Sequence, residues 1–257
     1  MAVITISRQV GSLGDEAAGA AADKLGYARI GRFQIGKVLA EHGFSDSDVD
    51  RYDETNPSLL QHLSIQTKIY EYLIRGAVYE FAARDNVVIV GRGAQVILKE
   101  VPGTLHVRVI APHDTRVNRL MEQRGIETKV AHREIMQGDR NSSGYIQTYF
   151  RADWENKELY DLVINTRKMT LTSSVEMIRC AVHSDEFRES SPATEQLMDL
   201  ALTQKAKAVM LTIDGMEAPD LVVQNGVAYL PKSGMPDEIL KACEHAILKI
   251  RGITGLG

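Results

Sequence analysis

The chain holds 257 residues, 44% of them hydrophobic and 25% charged, a soluble globular composition long enough to bury one sizeable core or two smaller ones. Its formal net charge of -4 argues against a protein whose main task is gripping nucleic acid. The two cysteines, Cys180 and Cys243, stand too far apart for a zinc ribbon or a disulfide framework, so a reducing, cytoplasmic setting is expected. The N-terminus lacks the basic flank of a signal peptide, and no apolar run approaches the roughly 18 residues that a membrane span needs.

AVITIS (2–7) is short and rich in β-branched residues, as a buried strand should be. A glycine loop follows, and then AAGAAADKL (17–25), which reads as a helix with Lys24 in its last turn and Gly26 just past its end. A strand, glycine loop and helix in this order usually open a parallel α/β sheet. Residues 32–85 carry helical periodicity through Leu59, Leu63, Tyr70, Leu73 and Ile74, broken by the turn signals HGFSDSD (42–48) and ETNPS (54–58). Val87 to Val90 and Thr104 to Pro112 give two further strands. Between them and the strand LYDLVINT (159–166) lie a helix from Asp114 to Gly125 and a basic helical stretch from Glu127 to about Arg151. A helix from Ser173 to His183 closes this part.

The polar, proline-containing stretch after His183 then reads as a linker. Beyond it the sequence predicts a helix (196–207), a strand AVMLTI (208–213) and two strands joined through Gln224, Asn225 and Gly226, where Asn-Gly favours a tight hairpin. A helix from Pro236 to Arg251 with one apolar face ends the chain. The division predicted is 1–185, a linker 186–194, and 195–257.

Three places carry candidate chemistry. In GSLGDE, the residues Gly11, Ser12, Leu13, Gly14, Asp15 and Glu16 follow a buried strand and open a helix, the arrangement that lets backbone N–H groups cradle a phosphate. The Walker pattern G-x-x-x-x-G-K-[ST] is incomplete there, because Asp15 and Glu16 follow Gly14 in place of a lysine and a hydroxyl. The alternative is that these carboxylates complement the helix dipole and no ligand binds. Arg8 either supplies the missing positive charge or is a surface arginine. Arg92, between two glycines at the end of a strand, either points into the ligand crevice of an α/β sheet as a phosphate fork or is ion-paired in its loop. Among the basic helices, Arg116 with Arg119, and Arg133 with Arg140, share faces; such charges are ordinarily solvated, the default for Arg124 and Lys129, but in a phosphoryl-transfer enzyme they belong to a closing lid. Trp154 is expected to anchor the segment after that region by burial. The seven histidines show no metal-ligand spacing, and no metal ligand is identified.

ITISRQVGSLGDEAA, VVIVGRGAQVILKEVPGTLHVRVIAP, GDR, DW and YDLVINT, in that order and spacing, resemble the cytidylate kinase-like family over roughly residues 1–183. The resemblance implies an α/β fold of phosphate-loop kinase type, a five-stranded parallel sheet flanked by helices. It also implies transfer of the ATP γ-phosphoryl group to a nucleoside monophosphate with Mg2+. By motif, GSLGDE becomes the ATP phosphate loop, Arg92 meets the monophosphate, and Arg133 and Arg140 with Asp139 belong to the lid. The sequence departs from the pattern in having Asp15 where lysine stands, Gly93 where aspartate follows the arginine, and Asn141, Ser142 and Ser143 where further lid arginines are expected. Arg8 or a lid arginine would then compensate for the lysine.

Residues 195–257 resemble a BON domain, a small α+β module of αββα type with its last strand short or absent. That resemblance implies association with a membrane surface or a protein partner; nothing basic or amphipathic here points to lipid in particular, and packing on the kinase-like domain or on a second copy of the chain is an equal alternative. Two functions from different classes follow: a phosphotransferase acting on a nucleoside monophosphate or similar small acceptor, and a catalytically weak nucleotide sensor that signals through its C-terminal domain.

Overall fold

The computed structural model describes residues 2–45, 64–188, 194–214, 216, 220–231 and 235–257. The end of HGFSDSD, all of ETNPS and much of the predicted linker lie outside them. The described residues form two compact units: one made of 2–34 and 85–188, the other of 35–45, 64–84 and the residues from 194 onward.

The first unit is built on a five-stranded parallel sheet in the order β2-β3-β1-β4-β5. These strands are β1 (Val3–Arg8), β2 (Ala28–Ile30), β3 (Val87–Val90), β4 (Thr104–Ile110) and β5 (Leu162–Asn165). β1 lies at the centre, pairing Val3 with Val87 on one side and with Thr104 on the other. Ile4, Ile6, Val88, Val90, Leu105, Val107 and Ile164 form the sheet's share of the core, which is why these strands read as continuous apolar runs. Helix α1 (Gly14–Leu25) buries Ala17, Ala18, Ala21 and Ala22; their single-carbon side chains leave its axis close to the sheet. The helix stops at Gly26, whose φ of 68° provides the left-handed cap expected there.

Further along are α4 (Ala94–Ile97), α5 (His113–Arg124), α6 (Thr128–Phe150), α7 (Leu171–Val182) and α8 (Asp185–Arg188); α2 (Arg32–Ala40) and α3 (Ile65–Ala83) precede them. α7 begins under a side-chain cap in which Thr170 accepts from the Ser173 N–H at 3.1 Å.

The second unit has its own core of Leu202, Ala206, Met210, Leu221, Val223, Ala228, Cys243 and Ile247. It contains α9 (Thr194–Met210), β6 (Val222–Gln224), β7 (Val227–Tyr229), α10 (Asp237–Ile247) and β8 (Gly255–Leu256), with the sheet order β6-β7-β8. α3 packs on α9, where a Cβ at Gly76 would come within 3.3 Å of the Ala201 carbonyl oxygen. Spatial grouping thus differs from chain order, which assigned α3 to the first domain. The predicted strand AVMLTI is corrected as well: Ala208 to Met210 finish α9, because Leu202, Ala206 and Met210 recur at helical spacing on the core and that periodicity overrides local β propensity. The Asn-Gly hairpin forms as predicted, Asn225 and Gly226 having φ of 51° and 75°. The Asp199 carboxylate accepts both of their N–H groups, at 2.7 and 3.0 Å.

Candidate functional site

The loop between β1 and α1 is held from behind. Arg116 donates to the Val10 carbonyl at 3.1 Å, Arg119 to the Gly11 carbonyl at 3.4 Å, and the Thr166 hydroxyl to the Ser12 carbonyl at 2.8 Å. A planar trans peptide points each C=O opposite the N–H that follows it. Fixing the carbonyls of Val10 and Ser12 therefore turns the N–H groups of Gly11 and Leu13 the other way. Asp139 completes the brace, accepting from the Val10 N–H at 3.2 Å and from Arg116 at 2.7 Å. α1 starts at Gly14 with no side-chain cap, so the N–H groups of its first turn have no intrahelical partner and present the positive end of the helix dipole.

The helix is entered through Leu13, whose φ of 64° is left-handed, a conformation a Cβ resists. In the Walker pattern a glycine stands immediately before the lysine. Laying Leu13 on that glycine places Arg8 on the pattern's first glycine, Gly14 on the lysine and Asp15 on the Ser/Thr. This moves the lysine position one residue back from Asp15. The geometry also shows why no side chain stands at 14: a Cβ there would lie 2.2 Å from Arg8 Cβ and 2.7 Å from its Cγ. Arg8 fills the volume into which a lysine at 14 would begin to grow.

Arg8 leads into a cavity of about 420 Å³ at the carboxyl ends of β1 and β3. Among the described residues, four arginines border it, Arg8, Arg29, Arg32 and Arg92, together with one carboxylate, Asp15. Asp15 accepts from Arg8 Nε at 3.1 Å and from Arg29 at 3.5 Å. Burial lowers the Arg92 guanidinium below the usual arginine range; the nearby Tyr145 opposes that shift, while the Arg32 and Arg8 charges reinforce it. Like charges brought close together in a desolvated setting favour a nearby anion.

Arg92 sits in an unusual backbone. Gly91, Arg92 and Gly93 have φ of 70°, 59° and 69°, three consecutive left-handed residues. A non-glycine residue held there stores strain of a kind that concentrates at functional sites. At Gly93 a Cβ would lie 2.2 Å from the Phe150 ring at the end of α6, so the aspartate of the related motif has no room here. The lining also includes Asn141, Ser142, Tyr145 and Ile146 from α6, and Trp154 beyond it. Trp154 is 4% exposed; its indole N–H donates to Ser7 Oγ at 2.8 Å, and the Arg108 guanidinium lies 4.1 Å from the ring centre.

The structure therefore brings Arg8, Arg92 and Asp15 to one cavity, but of the loop 11–16 only Asp15 borders it, and neither predicted lid arginine does. Arg133 and Arg140 are exposed on α6 and border no part of this cavity, whereas Asn141 and Ser142 do. Arg116, Arg119 and Asp139 support the loop from behind. Sequence reasoning missed Arg29, Arg32 and Gln95. Arg29 sits in a three-residue strand too short to show alternation, and Gln95 in a four-residue helix too short to show periodicity. Among the described residues no group of three or more His, Cys, Asp or Glu side chains is placed to hold a metal ion by itself, and no helix is long and apolar enough to cross a membrane.

Residues 3–168 match the sequence model of the cytidylate kinase-like family. Over 187 residues the chain is 27% identical to a cytidylate kinase from Archaeoglobus fulgidus, covering 72% of this chain and 97% of that one. It is also 34% identical over 97 residues to a uronate isomerase from Corynebacterium glutamicum, a stretch amounting to 38% of this chain and only 19% of that protein. In structure, it resembles an uncharacterized protein from Eubacterium ventriosum with a TM-score of 0.53 at 23% identity, over 72% of this chain and 99% of that one, which establishes a shared fold.

Proposed function

Because the chain belongs to the cytidylate kinase-like family, we propose that it transfers the ATP γ-phosphoryl group to a nucleoside monophosphate or a similar small phosphate-bearing acceptor. The observation that supports the reading is the cavity that, among the described residues, is bordered by four arginines and one carboxylate beside the braced loop. The N–H groups of Gly11, Leu13 and the first turn of α1 receive the donor's phosphate oxygens. Arg8, whose stem fills the volume of a Walker lysine, supplies that lysine's positive charge; Arg92, aided by Arg32, holds the acceptor phosphate through its planar fork. Arg133 and Arg140 are proposed to contribute only if α6 moves, as a lid does. Phosphoryl transfer asks the protein chiefly for positioning and charge neutralisation, and these are what this wall offers.

ATP and Mg2+ are implied by the family. Asp15 presents the oxygen ligand that a hard cation accepts, so the residues present fit a magnesium ion carried chiefly by phosphate oxygens and completed at this one carboxylate. When bound, magnesium neutralises charge on the transferring group. Both arginine contacts of Asp15 fall on its Oδ1, so a cation at Oδ2 would not have to break either ion pair.

A second reading rests on that same ion pair. With Asp15 engaging Arg8 and Arg29, the protein is a nucleotide sensor that binds without turnover. Purified protein given ATP, magnesium and a panel of nucleoside monophosphates separates the two. Diphosphate above background establishes the kinase; calorimetric binding without product establishes the sensor; Arg92→Ala weakens binding in either case. For the second unit we propose a BON-like module that binds a protein partner or a second copy. The order α9, β6, β7, α10, β8 supports that reading, including its short final strand.

A further inference from the structure

One polar group on the cavity wall has no use within the fold. Gln95, on α4 three residues after Arg92, borders the cavity and is 2% exposed, yet its side-chain Nε2 finds no hydrogen-bond partner among the described residues. A buried amide N–H left unmade is costly, and a native structure completes the bond with a ligand, an ion or an ordered water. The group is a neutral donor. The same cavity is bordered by arginines, which suit an anion, so the partner suited to the neutral Gln95 donor is an uncharged acceptor atom near the phosphate that Arg92 would hold.

We propose that Gln95 is a specificity-determining residue of the acceptor cavity, donating from Nε2 to a ring carbonyl or ring nitrogen of the base of a nucleoside monophosphate. This rests on the acceptor reading given above. A site that hydrogen-bonds its substrate rejects analogues lacking the acceptor atom far more strongly than an apolar pocket does, because the buried donor is otherwise left unpaired. The local architecture supports precise aim: the three left-handed residues 91–93 and the Phe150 ring against Gly93 fix where α4 begins, and hence where Gln95 sits.

The test is calorimetry without turnover, using CMP, UMP, AMP, GMP, ribose 5-phosphate and inorganic phosphate against the wild type and Gln95→Leu. The wild type is expected to bind at least one nucleotide more tightly than ribose 5-phosphate. Gln95→Leu is expected to weaken that nucleotide about tenfold while leaving ribose 5-phosphate and phosphate unchanged. Its thermal midpoint should equal or exceed that of the wild type, since an unpaired amide has been removed. If Gln95→Leu does not fold, Gln95→Met, unbranched and of similar length, carries the test. Unchanged nucleotide affinity, or an equal loss for ribose 5-phosphate, overturns the assignment of Gln95 to the base. Failure of the wild type to bind any of the six overturns the acceptor reading itself, and this inference with it.

Discussion

A single added carbon at position 14 is the sharpest probe of the phosphate loop. The Cβ of Gly14→Ala meets Arg8 Cβ at 2.2 Å, too close to absorb without moving the strand end. We expect it to lose about 1–3 kcal/mol in urea unfolding, the usual cost of overpacking. Arg8→Gly with Gly14→Ala should cost less than the sum of the single changes, and simple additivity would show that the two residues do not share that space. Gly93→Ala should fail similarly against Phe150 and at positive φ, with partial rescue by Phe150→Ala. These contacts also mark how far the loop was legible. GSLGDE marked the turn into α1, and Arg92 marked a residue that borders the cavity. The register within the loop depends on Leu13 adopting a left-handed conformation that its side chain disfavours, so sequence placed the lysine position at Asp15. The absence of a side chain at 14 and 93 is explained only by Arg8 and Phe150, partners distant in sequence or invisible to local patterns.

At the scale of elements, the strands were legible because each is a continuous apolar run, and α1 and α5 because they carry ordinary stop signals. β2 and α4 were not, being three and four residues long, and with them went Arg29 and Gln95. The turn after α6 is held chiefly by Trp154. Trp154→Phe keeps the ring that Arg108 covers but removes the donor to the buried Ser7 Oγ, and should cost about 1–3 kcal/mol of unfolding free energy. His106 on β4 offers a pH test. Burial holds its imidazole below the usual histidine range, outweighing the nearby Asp161 carboxylate and a hydrogen bond to the Leu98 carbonyl, both of which raise it. The unfolded chain therefore takes up a proton that the native state resists. This stability contribution is present above the ordinary histidine pKa of about 6.5 and is lost as pH falls through the depressed native value. Urea unfolding followed downward from neutral pH should show a fall in stability that is shallower in His106→Gln; identical slopes would rule His106 out as a source of it.

For the whole molecule, a positive cavity is set in a chain of net charge -4, so attraction between protein and phosphate is local and partly open to screening. ATP with magnesium should raise the unfolding midpoint, the stabilisation reaching about 2.7 kcal/mol at a hundredfold excess over the dissociation constant. Rising sodium chloride should shrink the shift, and Arg8→Ala with Arg92→Ala should abolish it; a salt-independent shift would place the nucleotide elsewhere. The grouping of the chain was the least legible feature at this scale. α3 belongs with the C-terminal residues through contacts such as Gly76 on Ala201, and no change of composition in the sequence announces a partnership formed across so many residues.

The shared space of Arg8 and Gly14 has a bearing on how such a loop can be re-engineered. In a randomised library selected for phosphotransfer, lysine at 14 should be recovered only in clones that carry glycine at 8. Each substitution made alone either jams the strand end or discharges the loop. The two solutions to holding a polyphosphate are thus separated by a fitness valley one mutation wide, and only a simultaneous double exchange crosses it.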